Sequence, residues 1–531
     1  MDHSQKNHSL KSFWISLSLF FAVCIFYYIK AVYSTEGHYV YPIDDAYIHL
    51  SMAKNFSLHK VWGVTPYTFS SSSSSPLFTF IVSLLMNIFG NQEVLPLYFN
   101  VILCSAVIFI LNKYYSEIFR ETKHIVICTL CTVFFAVMHL QMLSGMEHLL
   151  QIFLFVLNIF CFELKKEHRL ARFGFYATIL LMGLVRFESM FYFVILAFVL
   201  FLIKRWKSGV LVLLLGFIPI IIFCYFNYTY SGYLFPNSVI VKGTKLSLTS
   251  DMSSQIKYLL FDKLLLNISF YKVGFLPIVI SGIFIYRDLR CKSFPELIQS
   301  HFFLIVFSLV MICHSMFADL KGAFRYEAYM LVGFSMAVFP KIKTIFSDPK
   351  KYIKKELVLS ILLFINILLM LYKTGVAHQM LNNGSKNIYE QQVQSAKFLH
   401  TYYNASKVVA NDIGAITYYT DIHLLDIAGL ASTETIVFNE NHNLFDFRFK
   451  TFLTDYCEAN TYELAIVYET WMQGQVPESW KKAAVLKISH TITVANPEVS
   501  IYSVNGKNIE QLKQNIKQFN WNKNVEVTII P

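Results

Sequence analysis

The stretch Tyr41-Pro42-Ile43-Asp44-Asp45-Ala46-Tyr47-Ile48-His49-Leu50-Ser51-Met52-Ala53-Lys54-Asn55 sets two adjacent carboxylates a few residues beyond a long apolar run, Phe13 to Val32. That run follows Lys6 and Lys11 and has no small-residue cleavage site after it. It is too long for the core of a typical signal peptide, so it predicts an uncleaved first membrane span. Beyond the carboxylates, Ile48, Met52 and Phe56 recur at helical spacing. Asp44 or Asp45 suits the N-cap of that helix. A cap needs only one of them, and adjacent helical side chains diverge by roughly 100°, so the second can face a cleft.

Composition says what surrounds this stretch. Of 531 residues, 55% are hydrophobic and 15% charged, and the mean hydropathy is +0.48. Soluble chains carry about a quarter charged residues, so most of this chain is expected to use lipid as its solvent. The net charge of +11 falls in short loops between apolar runs. It therefore reads as membrane topology and not as a nucleic-acid footprint. The nine cysteines form no disulfide framework, because seven lie in apolar runs, Cys291 in a basic loop and Cys457 alone near the C-terminus. Cys128 and Cys131 have C-x-x-C spacing but sit inside a span, as ordinary helix residues.

Eleven spans are expected, at about 13–32, 94–112, 124–142, 149–163, 173–187, 189–203, 209–228, 271–286, 300–318, 325–340 and 356–373. One further apolar run, 76–90, is short and opens with Pro76. If it lies at the surface, the loops 113–123, 164–172, 204–208, 287–292 and 341–355 face the same side and carry nineteen Lys and Arg. The opposite short loops, 143–148 and 319–324, then hold only Lys321. The positive-inside rule selects this arrangement. It makes 76–90 an outer juxtamembrane helix, puts the N-terminus in the cytoplasm and sends everything from about residue 375 outside. The first loop, 33–93, and the loop 229–270 are outer as well. Within the first loop the run Ser70 to Ser75 is of low complexity and reads as flexible.

The character of the chain changes after residue 375. Residues 384–403 look helical. Lys407-Val-Val-Ala, Leu464-Ala-Ile-Val-Tyr, Ala484-Val-Leu-Lys-Ile and Glu498-Val-Ser-Ile-Tyr look like strands. The expectation is a polytopic helical unit, 1–374, followed by an extracytoplasmic soluble α/β domain, 375–531.

Ionisable residues recur where the spans meet the outer face. They are Glu147 in Ser144-Gly-Met-Glu147-His148, Arg186 and Glu188, Asn237 and Lys242 in the second long loop, and Arg325-Tyr326-Glu327. Each alone reads as a snorkelling side chain or a local ion pair. Together, on one face, they read as a site, since charge at membrane depth is expensive. A carboxylate there can take the proton of an attacking hydroxyl, and Arg and Lys can hold a departing phosphate. His49, His148 and Glu147 could bear on a divalent cation, but their spacing is not that of a tight site. No P-loop or G-x-G-x-x-G is present, which disfavours nucleotide-driven transport.

Asp44-Asp45-Ala-Tyr-Ile, the amphipathic helix after it, Ser75-Pro76-Leu77-Phe78 and Ser144-Gly-Met-Glu147 together resemble the polytopic GT-C glycosyltransferases over about residues 1–340. The nearest flavour is the mycobacterial-type terminal arabinofuranosyltransferases. Protein mannosyltransferases and aminoarabinose transferases are more distant. Asn411-Asp412-Ile413-Gly414-Ala415 and Leu425-Asp426-Ile427-Ala428-Gly429-Leu430 are similar to the outer domains of such enzymes. The resemblance implies a hexosyl- or pentosyltransferase with a polyprenyl-phosphate sugar as donor and a glycan, lipid or protein as acceptor. It places the acidic catalytic motif on Asp44 and Asp45, a second acidic position on Glu147, and the lipid phosphate near Arg186, Lys242 and Arg325. Relatives often have Arg-Pro-Glu where this chain has Arg186-Phe187-Glu188, and Thr where it has His148. These departures bear on the donor sugar. Two rival classes are a flippase of lipid-linked sugars, which would place polar groups near the bilayer midplane, and a non-catalytic envelope assembly protein, which would not need the acidic pair.

Overall fold

Helices lie at all eleven expected spans in a computed structural model that describes residues 3–164, 168–243, 251–318, 320, 322–439 and 445–531. Among the described residues, four helices are long and apolar enough to cross a membrane unaided: His8–Ser34, Leu95–Ser116, Trp206–Ser231 and Leu357–Tyr402. Phe294–Ser300 and Phe302–Phe317 make a fifth if taken as one span bent by 79°. The expected span 124–142 is broken, because Val137 adopts a left-handed conformation (φ 52°) between helices Thr122–Phe135 and Met138–Leu143. The longest helices turn large apolar side chains outward, among them Ile29, Ile221, Ile222, Tyr225 and Phe364. Such a surface is tolerated by lipid and not by water.

The two sets of loops gather at opposite ends of this bundle. At one end His8 Nδ1 meets Thr122 Oγ1 at 3.0 Å, Lys341 Nζ donates to the Ser300 carbonyl at 2.6 Å, and Arg287 pairs with Glu356. At the other end lie Asp45, Glu147, Arg186 and Arg325, together with the run 76–90, which forms the helix Pro76–Phe89. That helix is 14 residues long, about 21 Å at roughly 1.5 Å per residue. A bilayer core is about 30 Å thick.

The C-terminal unit is a six-stranded sheet of β1 (Lys407–Ala410), β2 (His423–Asp426), β3 (Leu464–Val467), β4 (Lys481–Lys487), β5 (Glu498–Ser503) and β6 (Glu526–Ile529), in the order β2-β1-β3-β5-β4-β6. β1 pairs in parallel with both β2 and β3, and the remaining pairs are antiparallel. No loop joins the two units. Leu357–Tyr402 runs 46 residues from the bundle into the sheet unit, so the expected boundary near residue 374 falls inside a helix.

The sheet unit is fastened to the helix Asp45–His59. The short helix Gly414–Tyr418 lies between two charged side chains of the segment that follows the first long helix. Asp44 accepts from Gly414 N (2.6 Å) and Ala415 N (2.9 Å), at the electropositive end. Lys54 Nζ donates to the carbonyls of Tyr418 (2.8 Å), Thr420 (3.3 Å) and Thr417 (3.4 Å), at the electronegative end. Ser51 Oγ and Thr417 Oγ1 meet midway at 2.8 Å. Each terminal contact contributes roughly 0.3–2 kcal/mol. Neither carboxylate caps its own helix as expected. Asp44 occupies the N-cap position without a side-chain cap bond, because its oxygens are spent on Gly414 and Ala415.

Gly414 permits this approach. A Cβ there would lie 2.2 Å from the Asp44 carbonyl oxygen. Gly414→Ala is therefore expected to lift the sheet unit off that segment and destabilise the protein by about 1–3 kcal/mol. Thermal unfolding, with limited proteolysis between residues 403 and 431, reads this out. An unchanged profile would mean the clasp does not hold the units together.

Candidate active site

Helix Asp45–His59 carries Asp45 away from the clasp and into a cavity of 420 Å³ at the sheet-unit end of the bundle. Its polar wall holds Asp45, His148, Arg186, Glu188 and Arg325, and its apolar wall includes Met190, Phe191 and Phe317. Arg325 Nη1 donates to Asp45 Oδ2 at 3.1 Å, and Arg325 Nε to the Gly322 carbonyl at 2.8 Å. Arg186 is held from two sides. Glu188 binds it through Nε (3.1 Å) and Nη2 (2.6 Å), and Nη1 donates to Glu147 Oε1 (2.8 Å) and Ser74 Oγ (3.0 Å). The Tyr326 ring lies 4.9 Å from the Arg186 guanidinium and 5.6 Å from that of Arg325, so one aromatic face orients both.

Glu147 is fully buried. Besides Arg186 it accepts from Ser74 Oγ (3.0 Å), and its Oε2 faces His49 Nε2 (3.1 Å) and His148 Nδ1 (3.8 Å). Gly145, in a left-handed turn, lets this loop close against Tyr41, since a Cβ there would lie 2.3 Å from the ring. Among the described residues, no group of three or more His, Cys, Asp and Glu is arranged to hold a metal ion. His49 and His148 are instead directed at Glu147.

Not all the expected residues meet at the cavity. Glu327 is buried and faces Lys373 Nζ of the last long helix at 3.7 Å. Asn237 is buried behind the wall. Its backbone N–H donates to the Ser71 carbonyl at 3.1 Å, while its carboxamide atoms find no protein partner. The helix Asn237–Lys242 flanks the cavity, but the side chain of Lys242 lies outside the described residues, as does Lys321. His148 Nε2 and Ser238 Oγ are likewise buried without a partner among the described residues. A buried polar atom left this way is costly, and a ligand with polar groups would relieve it.

The Ser70 to Ser75 run is not a flexible segment. All but Ser74 are buried, and Ser73 bonds Thr79 (2.8 Å) and His49 (3.2 Å). Ser72 and Ser74 line the cavity. Serines are small enough to thread between helices and polar enough to satisfy Arg186, His49 and Glu147. Low complexity here reflects tight polar packing.

A second residue that the sequence reading did not single out is Asp412. Its Oδ2 accepts from Gln392 Nε2 (2.8 Å) and Tyr468 OH (3.1 Å). The widened helical turn Tyr389–Val393 aims Gln391 and Gln392 at this point. Asp412 also hydrogen-bonds Asp44. Burial, and then the Asp44 charge, push the Asp412 carboxyl well above its ordinary value of 3.8, while burial raises Asp44 despite its two backbone donors. The pair therefore holds a shared proton.

The fold has a counterpart among solved structures. ArnT from Cupriavidus metallidurans, in a crystal structure bound to undecaprenyl phosphate, superposes with a TM-score of 0.51 at 10% identity, over 93% of this chain and 98% of that one. The fold is GT-C-like. Weaker likenesses to this GT-C-like chain come from an Archaeoglobus fulgidus oligosaccharyltransferase in its apo form (TM-score 0.46, 11% identity, 96% of this chain and 76% of that one). Another is AglB of the same organism with an inhibitory peptide and a dolichol-phosphate (TM-score 0.44, 11% identity, 97% and 76%). Residues 386–502 match a domain of unknown function, DUF8728. No curated protein sequence matches the chain.

The Asp44–Asp412 pair makes docking depend on pH. Because the folded carboxyls bind protons more tightly than the unfolded ones, stability is full below about pH 3.8 and falls as pH rises through their raised values. The Asp45 charge raises Asp412 further, while the hydrogen bond from Tyr468 opposes the rise. Asp412→Asn keeps a donor toward Asp44 but removes this titration. Its thermal midpoint, measured from pH 4 upward, is expected to fall less steeply than that of the wild type. Parallel curves would rule out the shared proton.

Proposed function

We propose that this chain is a membrane glycosyltransferase that takes a hexosyl or pentosyl group from a polyprenyl-phosphate sugar and gives it to a hydroxyl of an extracytoplasmic glycan, lipid or protein. The observation that carries the reading is Asp45, ion-paired to Arg325 on the wall of a cavity whose other side is apolar. Undecaprenyl phosphate in the ArnT structure supports a lipid phosphate as the donor's carrier. The apolar wall of Met190, Phe191 and Phe317 suits the first prenyl units, and the arginines suit the phosphate.

In this scheme the Asp45 carboxylate takes the acceptor proton as the hydroxyl oxygen bonds to the anomeric carbon. The bond from that carbon to the phosphate oxygen breaks, and its electron pair leaves on the polyprenyl phosphate. Arg325 and Lys242 neutralise the departing anion. Arg186, already bound by Glu147 and Glu188, keeps the cavity wall in place and offers the phosphate its remaining donor. Asp44 does not act on substrate, because its oxygens face Gly414 and Ala415. One displacement inverts the anomeric centre. Glu147, buried and surrounded by Arg186, Ser74 and His49, is poorly placed to be the nucleophile of a double displacement. The topology that fits is a cytoplasmic N-terminus in an inner membrane, a catalytic unit 1–374 and an outer unit 375–531.

Asp45→Asn is expected to lower transfer about 10²- to 10⁴-fold, with the lipid-linked donor accumulating in membranes that hold equal amounts of protein. Asp44→Asn should lower the melting temperature and reduce transfer less. Wild-type transfer in Asp45→Asn would defeat the assignment of the base. Wild-type transfer in both variants would make the acidic pair dispensable, and no transfer by the wild type would defeat the transferase reading.

A further inference from the structure

A second cavity, of 460 Å³, lies on the outer side of the first and shares Asp45, Ile48, Val241 and Leu430 with it. The sheet unit builds its far wall. Asn411, Asp412 and Ile413 follow β1, Ile427 and Ala428 follow β2, and Thr470, Trp471 and Gln473 follow β3. The chain leaves β1 for β2 on one side of it and later returns to β3 on the other. Carboxyl ends of parallel strands at such a switch point leave a crevice, because the two connections diverge there. In this chain the crevice opens onto Asp45.

The chemistry of the wall is specific. Trp471 presents an exposed ring (38% accessible), and Gln473, Thr470 and Asp412 add amide, hydroxyl and carboxyl groups. The turn that holds Thr470, Trp471 and Gln473 ends at Gly474, which takes φ 82° freely, while Gln473 itself is strained at φ 50°. Such strain persists only where the surroundings fix it. Among the described residues that line this cavity there is no Lys or Arg. Among those described residues a phosphate or an anionic lipid headgroup finds no countercharge. A sugar ring would find an aromatic face for its C–H side and neutral polar groups for its hydroxyls.

We propose that this cavity is the acceptor subsite and that it takes a neutral sugar, with Trp471 as its stacking face and Asp412, Thr470 and Gln473 as its polar contacts. The proposal rests on the transferase reading of Asp45. It makes the acceptor a glycan, whose terminal hydroxyl passes from the sheet unit to the Asp45 carboxylate.

The test uses the full chain in lipid nanodiscs and saturation-transfer NMR. The probes are a panel of neutral disaccharides, a Ser/Thr-containing peptide and an anionic glycolipid in micelles. At least one disaccharide should bind saturably. Trp471→Ala should weaken it roughly tenfold or more, as expected when one aromatic anchor is lost, and Trp471→Phe should recover most of the binding. Asp45→Asn should fail to transfer while the disaccharide binding that remains still depends on Trp471. The proposal is overturned if no disaccharide binds, if binding ignores Trp471, or if the peptide or the glycolipid is the probe that depends on it. Transfer lost in Asp45→Asn with sugar binding indifferent to Trp471 overturns the subsite alone. No transfer by the wild type overturns the transferase reading, and the acceptor role with it.

Discussion

A five-residue helix held at both ends by opposite charges organises much of this molecule. Gly414–Tyr418 points its free N–H groups at Asp44 and its free carbonyls at Lys54. Both side chains come from the segment that follows the first long helix and both are buried. The helix is too short to be stable alone, so its partners define where it lies. Once it is placed, β1 is placed too, since the strand ends four residues before it. The rest of the sheet then follows by pairing. The same contact uses up Asp44 and leaves its neighbour to face the cavity. Two adjacent carboxylates are thereby set apart, one held by the C-terminal unit and one facing an arginine.

Charge at the cavity shows a similar division. Arg186 is bound by two glutamates and a serine, and Arg325 by a carbonyl and Asp45. Buried ion pairs add little net stability, but they fix geometry, because breaking one leaves an unpaired charge. Tyr326, between the two guanidinium groups, turns them into a single cationic wall. The wall stands against apolar helices, where an anion attached to a hydrocarbon chain meets both of its preferred surroundings at once.

Much of this was legible in the sequence. Apolar runs mark the helices because lipid offers backbone groups no partners. The distribution of Lys and Arg separates the two ends, and the strands β1, β3, β4 and β5 show alternating or continuous apolar patterns. β2 was missed because four residues, two of them half-buried, carry little pattern. β6 was legible in Val525-Glu526-Val527-Thr528-Ile529, whose alternation at the chain end was passed over. Asp45, Arg186 and Arg325 could be found because charge beside a span is rare. Asp412 could not, because its meaning comes from Asp44, far away in sequence. The serine run misled for a related reason: hydroxyls that satisfy buried arginine and histidine have the same composition as hydroxyls in a solvated linker.

The helix Leu357–Tyr402 has a mechanical consequence. At roughly 1.5 Å per residue its 46 residues extend about 69 Å, more than twice the thickness of a bilayer core of about 30 Å. It is a rigid post with its foot among the membrane helices and its head in the sheet unit. Lys373 ties its lower part to Glu327, and Gln391 and Gln392 tie its upper part to Tyr468 and Asp412. The sheet unit is thereby tied to the bundle along this helix as well as through the clasp. Its distance from the bundle is set by the same post that anchors it.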